Sequence, residues 1–71
     1  MTVSADATQV TLIFEPWANE YDLPPHATVK VVWDNHGRDP ELEVVHHPDA
    51  ITFWSVVIPE VWTTDGQQIG I

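Results

Sequence analysis

Short runs of alternating, β-branched residues, each closed by proline or by turn-forming residues, make up most of this chain. Six prolines and turn signals such as Asp65-Gly66 separate the runs. Proline inside a helix removes a backbone hydrogen bond and clashes with the preceding turn. No ten-residue window free of prolines and turn signals has the apolar spacing of a helix. The sequence therefore predicts an all-β protein.

Six segments have the alternation or the β-branched composition that strands require. They are residues 8–14, 28–33, 41–46, 51–58, 61–64 and 67–71. Residues 15–26 contain three prolines and are predicted to be irregular, and residues 1–7 are predicted to be frayed. We predict one domain, residues 1–71, built as a small antiparallel β-sandwich or open β-barrel of five to six strands.

The segments 28–33 and 41–46 are predicted to pair as a wide hairpin around the turn formers of residues 34–40. In that register Val31 lies opposite Val44, and the next turn, residues 47–50, pairs Val44 with Phe53. The inner face then holds the main apolar side chains. The outer face is also apolar, and its large members are Val32, Val45, Trp54, Val56 and Ile58. Because soluble proteins rarely expose so large an apolar patch, we predict that these residues form the interface of a homo-oligomer, with a dimer as the simplest form. The alternative is that the first and last strands of the same chain cover this face.

The charge balance restricts the possible partners. Two basic residues oppose eleven acidic ones, for a formal net charge of −9. Nucleic acids and anionic membranes are bound through lysine and arginine, so both are excluded as expected partners. A hydrophobic content of 44%, with four tryptophans, excludes a disordered acidic tail. The composition predicts a small, folded, acidic module.

The first residues have neither the basic nor the apolar region of a secretory signal, and the chain has no cysteine. We therefore expect a cytoplasmic protein.

An aromatic and acidic segment follows the first predicted strand. Its candidate partner-binding residues are Glu15, Trp17, Glu20, Tyr21 and Asp22. Aromatic rings supply contact area and carboxylates select basic partners, so the segment predicts a protein-binding loop. The alternative is that Trp17 only closes one end of a small core.

Three residues, His26, His47 and Asp49, are candidate metal ligands. His26 and His47 are predicted at the same end of one hairpin, with Asp49 in the adjoining turn, and two imidazoles with a carboxylate suit zinc, copper or nickel. His46 and His47 are adjacent and point to opposite faces of a strand, so they do not readily bind one ion. We expect polar hairpin ends, with no metal site and no cofactor.

Catalysis is not expected. Ser4 and Ser55 are the only serines, and neither lies in a Gly-x-Ser-x-Gly elbow. The three glycines do not have the spacing of a phosphate-binding loop. No sequence pattern identifies a pair of carboxylates for general acid–base catalysis. The sequence predicts that the protein is not an enzyme.

Two segments carry a resemblance to known proteins. The first segment resembles the opening of small acidic bacterial β proteins of unknown function, and it contains Glu15-Pro16-Trp17 and Leu23-Pro24-Pro25. The second, residues 61–66, resembles the last hairpin of the same proteins. The acid–Leu-Pro-Pro opening also resembles the start of a cupin half-barrel, where glycine commonly stands at the position of His26. The cupin metal motif requires His-x-His followed by glutamate, whereas this chain has His46-His47. The resemblance therefore implies a bacterial β domain and no metal ligands.

Three functions remain open from the sequence. The leading one is a non-catalytic acidic module that binds a protein with a basic surface, for example an immunity-type or antitoxin-type inhibitor. A small-ligand protein for a metal or a carbohydrate is the second, because exposed tryptophans stack on sugars. The third is a purely structural assembly subunit.

Salt should stabilise this protein. The excess negative charges repel one another in the folded state, and salt screens that repulsion over a Debye length of roughly 8–10 Å. We expect the melting temperature, followed by circular dichroism, to rise between low and physiological NaCl. A melting temperature that stays flat or falls would contradict this reading of the charge.

Overall fold

The computed structural model describes residues 1–34 and 41–71, which form eight strands and no helix. The strands are β1 (Thr2–Ser4), β2 (Val10–Glu15), β3 (Asn19–Leu23), β4 (Thr28–Val32), β5 (Glu43–His46), β6 (Ala50–Trp54), β7 (Glu60–Thr63) and β8 (Gln68–Ile69). The all-β prediction is confirmed, with eight strands rather than five to six. A helix with the length and apolar character needed to cross a membrane does not occur in these residues.

The strands form two four-stranded sheets. The first sheet has the order β1-β4-β7-β8, and every neighbouring pair in it is antiparallel. The second sheet has the order β3-β2-β6-β5, and its central pair, β2 with β6, is parallel. The expectation of a wholly antiparallel arrangement is therefore wrong at this one pair. The parallel pair joins two hairpins, β2–β3 and β5–β6, into one sheet.

Both sheets contribute to a single hydrophobic core. Its buried members are Val3, Ala5, Leu12, Phe14, Leu23, Val29, Val31, Phe53 and Val61. Alternate residues of β2 and β4 are buried, as expected for strands with one face on a core. The rings of Phe14 and Phe53 stack at the centre of the second sheet, with centroids 5.3 Å apart. Trp33 packs on Phe53 at 5.7 Å from the first-sheet side.

The hairpin predicted between β4 and β5 does not form, and that pairing is wrong. β4 has β1 on one side and β7 on the other, whereas β5 pairs with β6 in the second sheet. The register predicted for β5 and β6 is confirmed, because Val44 lies opposite Phe53. Alternation also placed Val31 and Val44 on the core side correctly. Alternation within a strand identifies its buried face but not its neighbours. The two neighbours of β4 come from distant parts of the chain, so the sequence pattern near β4 does not predict them.

Two strands were not predicted. β1 lies within residues 1–7, which were expected to be frayed, and it is held by β4: the Ala5 N–H donates to the Ala27 carbonyl at 2.9 Å. β3 lies between Pro16 and Pro24, which fall just outside it. As an edge strand, β3 tolerates the charged residues and nearby prolines that had suggested a loop.

The hairpin predicted around Asp65-Gly66 is present as β7–β8, but its loop is one residue longer than the two-residue turn that Asp65-Gly66 predicts. Gly66 has a φ of +90°, a backbone conformation that side chains with a Cβ rarely adopt. The Thr63 N–H donates to the Gln67 carbonyl at 2.8 Å, so three residues form the loop. A three-residue loop with glycine at its left-handed position is a common hairpin connection.

Replacing Gly66 by alanine tests this turn. We expect Gly66→Ala to lower the free energy of unfolding by about 1–2 kcal/mol, because a Cβ is disfavoured at a left-handed φ. Gly70→Ala is the matched control, since Gly70 has no left-handed φ and an added Cβ meets nothing within 4 Å. Urea unfolding should show an unchanged or slightly higher stability for the control. Equal effects of the two substitutions would contradict the turn assignment.

Candidate functional site

A groove of about 610 Å³ opens at one end of the second sheet. Three chain segments meet there: the β2–β3 turn, the residues that lead into β5, and the end of β6. Its lining residues are Pro16, Trp17, Glu41, Leu42, Glu43, Trp54, Ser55 and Val56. The groove therefore combines two exposed tryptophans, two glutamates and apolar surface.

Trp54 lies at the centre of this arrangement. Phe53 is buried in the core, so the next residue of β6 points away from it, and 46% of Trp54 is exposed. Trp54 is in register with Glu15 of β2 on one side and with Glu43 of β5 on the other. Residues in register share one face of a sheet and have Cβ atoms about 4.5–5.5 Å apart. An exposed indole is thus flanked by a carboxylate on each neighbouring strand.

The β2–β3 turn brings Trp17 to the same groove. Phe14 and Asn19 form the last pair of the hairpin, so Trp17 lies in the short loop between them. Ala18 has a left-handed φ of 60°, which reverses the chain. The Ser55 N–H donates to the Glu15 carbonyl at 3.2 Å and ties the start of this turn to the end of β6. Trp17 is 39% exposed.

Four carboxylates lie on the side of the second sheet that points away from the core. We call this side the acidic face and define it by Glu15, Glu20, Asp22 and Glu43. Leu12, Phe14 and Phe53 are buried, so alternation and register place the four carboxylates on the opposite side. None of the four strands contains lysine or arginine. The lysine of the chain, Lys30, lies in β4 of the first sheet.

The predicted partner-binding residues therefore separate into two groups. Glu15, Glu20 and Asp22 lie on the acidic face, and Trp17 lines the groove beside it. Tyr21 is in register with the buried Leu12 and packs against the core. Glu43, which sequence reasoning did not select, joins the site. Because Val44 faces inward, alternation in the sequence predicts that Glu43 faces outward. The pairing of β2 with β6, which brings Glu15 to the same site, has no signal in the sequence.

The predicted interface residues are distributed over both sheets. Val45 and Trp54 lie on the acidic-face side of the second sheet, and Val56 and Ile58 follow β6 with 74% and 45% exposure. Val32 lies in β4 of the first sheet, in register with Glu60. The five residues therefore do not come from one sheet.

His26, His47 and the groove residue Ser55 each lie in a local hydrogen-bonded arrangement. His26 has a left-handed φ of 64° in a turn closed by the Ala27 N–H and the Pro24 carbonyl at 3.1 Å. A ring nitrogen of His47 is 3.2 Å from the Thr52 hydroxyl. Ser55 is buried, and its hydroxyl accepts the Val57 N–H at 3.1 Å. Over residues 1–34 and 41–71, no three His, Cys, Asp or Glu side chains gather as metal ligands.

The comparisons with known proteins add no relative: no family model matches the chain, and no curated protein or solved structure is significantly similar to it.

Zinc titration tests the expectation about the histidines. The hairpin that would bring His26 beside His47 and Asp49 does not form, and His46 points to the core side of β5 while His47 points away from it. We expect calorimetry with zinc to show no stoichiometric site tighter than about micromolar. A tighter stoichiometric site that is lost in His47→Ala would contradict this prediction.

Proposed function

We propose that this protein is a non-catalytic binding module that recognises the basic surface of a protein partner. The acidic face is the contact surface, and the groove between Trp17 and Trp54 receives a cationic side chain of the partner. No step of this function requires a cofactor or a metal.

The position of Trp54 between Glu15 and Glu43 is the observation that carries the proposal. A guanidinium group stacks on an indole ring and forms paired hydrogen bonds with a carboxylate. Here both kinds of group are in register on adjacent strands, so one cation can contact the ring and a carboxylate together. Tryptophan is also a frequent centre of binding energy at protein interfaces.

The charge of the whole protein supports the same partner. The net charge of −9 gives a negative field, and the second sheet contributes carboxylates without any lysine or arginine. Such a field accelerates encounter with a basic protein and repels acidic ones. One concrete form is an immunity-type or antitoxin-type inhibitor that covers the basic active site of a nuclease.

The proposed contact surface also depends on how the two sheets are arranged. We propose a sandwich rather than a barrel, because the described strands pair only within their own sheet. In a sandwich the core lies between the sheets, and the outer side of the second sheet is a broad surface that a folded partner can cover.

A carbohydrate is the second candidate ligand, and the two exposed tryptophans favour it. Trp17 and Trp54 line one groove and are 39% and 46% exposed. Their rings offer the flat surface on which sugars stack. The carboxylates beside Trp54 distinguish the candidates, since a cation requires them for charge neutralisation and a neutral sugar does not.

Binding of a short arginine-rich peptide tests the proposal. Tryptophan fluorescence and calorimetry at low salt should both detect binding, with an emission change from Trp54. We expect Trp54→Ala to weaken binding about tenfold, equal to about 1.4 kcal/mol, because the ring contact is lost. Neutral disaccharides should leave the emission unchanged.

Two charge-matched variants separate the site from the overall charge. Glu43→Gln removes a carboxylate beside Trp54, whereas Glu60→Gln removes an exposed one in β7 of the first sheet. Both variants remove one negative charge from the protein. We expect Glu43→Gln to weaken peptide binding several-fold more than Glu60→Gln. Equal losses would show diffuse attraction and overturn the site, and a response to disaccharides alone would favour the carbohydrate candidate.

A further inference from the structure

The edge of the second sheet at β5 has backbone groups without strand partners in the described residues. β5 is last in the sheet order and pairs with β6. The His47 N–H donates to the Ala50 carbonyl at 2.8 Å, which makes that pair a hydrogen-bonded one. Antiparallel strands alternate between hydrogen-bonded and non-hydrogen-bonded pairs. The backbone N–H and C=O groups of Val44 and His46 therefore point away from β6, toward the open edge.

Over residues 43–46, this edge has no proline, lysine or bulge. Natural edge strands are blocked by proline, by lysine or by a bulge. β5 has the sequence Glu-Val-Val-His and pairs with β6 without a break in register. The opposite edge, β3, is protected by the charges of Glu20 and Asp22.

A second opening lies beside the same edge. A groove of about 350 Å³ separates β5 from β1, the edge strand of the first sheet. The apolar part of its lining is Met1, Val3, Val44, Ile51 and Phe53. Val44 is only half-buried for this reason. A further strand added to β5 would extend the sheet over this gap and cover the apolar lining.

We propose that β5 pairs with β5 of a second copy of this chain, antiparallel, across a two-fold axis. Only residues with outward backbone groups can form the new hydrogen-bonded pairs, so Val44 or His46 must face Val44 or His46 of the second copy. When Val44 faces His46, the two Val45 residues face each other on the axis. Glu43 then lies opposite His47 of the second copy, at both ends of the contact.

Side-chain complementarity selects this register. It pairs valine with valine and a carboxylate with an imidazole, and both kinds of cross-strand pair are favourable. Two other registers are possible. Val44 facing itself places the charged Glu43 against Val45 at both ends, and His46 facing itself places Val44 against Pro48, which has no N–H to donate. The two-fold axis runs perpendicular to the sheet between the two β5 strands, so both acidic faces lie on the same side of one eight-stranded sheet. The inference therefore goes beyond the proposed function, since it concerns an edge rather than a face.

Cysteine cross-linking tests the contact directly, because the chain contains no cysteine. We expect Val45→Cys to form a disulfide-linked dimer under mild oxidation, since facing residues of a non-hydrogen-bonded pair lie within disulfide reach. Val56→Cys is the matched control: this valine is more exposed, at 74% against 37%, and lies outside β5. Cross-linking of Val56→Cys in place of Val45→Cys would favour the face predicted from the sequence and overturn the edge contact.

Two substitutions at His46 test the backbone contribution. His46→Pro removes an outward N–H, whereas His46→Thr also loses the imidazole but keeps the N–H. We expect sedimentation of the wild type and of His46→Thr to give a dimer, about twice 8.0 kDa, at micromolar concentrations. His46→Pro should raise the dimer dissociation constant at least about tenfold while circular dichroism shows an intact fold.

These experiments test the β5–β5 dimer independently of the proposed binding function. A wild type that sediments as a monomer at these concentrations, or a folded His46→Pro that remains a dimer, would overturn it. If His46→Pro does not fold, the comparison of Val45→Cys with Val56→Cys decides. Arginine-peptide binding should be retained by monomeric His46→Pro, because Trp54 and its flanking glutamates are unchanged. Loss of that binding in Trp54→Ala concerns the proposed function and not the dimer, because Trp54 lies in β6 and outside the β5 contact.

Discussion

The parallel pairing of β2 with β6 is the constraint on which the rest of the second sheet depends. It connects two local hairpins through strands that are distant along the chain, and places Phe14 in register with Phe53. The stacked rings, 5.3 Å apart with planes 14° from parallel, lie under the centre of the sheet. Such aromatic pairs contribute about 0.5–1.5 kcal/mol beyond the area that they bury. One residue further along, the same register sets Glu15 beside Trp54.

The core and the candidate site therefore lie on opposite faces of the same pair of strands, β2 and β6. Alternation sends Phe14 and Phe53 inward and their neighbours Glu15 and Trp54 outward. A shift of β6 by one residue would bury Trp54 and expose Phe53, so the hydrophobic core holds the outer row of side chains in place. The carboxylates beside Trp54 need no network of their own to stay positioned, because the strands beneath them are held by the core.

The distribution of charge connects the proposed function with the proposed assembly. Repulsion among the acidic groups opposes both folding and self-association, and a small core must offset it. A dimer formed at the β5 edge keeps the carboxylates of the acidic face exposed to solvent on one side of a continuous sheet. Two copies of the Trp54 site would then face the same direction. A partner with two basic patches could bind both at once and gain affinity from the link between them.

The sequence alone determined which residues form most strands and which side of each strand is buried. Turn chemistry is local, so Asp65-Gly66 predicted the β7–β8 hairpin, and residues 47–50 predicted the β5–β6 register correctly. Apolar alternation is also local, so the inward direction of Val31 and Val44 was readable. The proposal of a basic partner also rests on sequence features, the acidic residues of β3 and the charge of the chain. The loop reading failed for β3 because an edge strand needs only one paired side and tolerates polar residues.

Only the tertiary structure decided which sheet each strand joins. β4 and β5 each have a face that fits a core, and nothing local in either strand specifies its neighbour. The choice rests on how all inward side chains fill one core together, which is a property of the whole chain. The groove between Trp17 and Trp54, the row of Glu15, Trp54 and Glu43, and the open β5 edge all follow from that choice. Alternation specifies a residue's side of the sheet, and only long-range packing specifies what lies beside it.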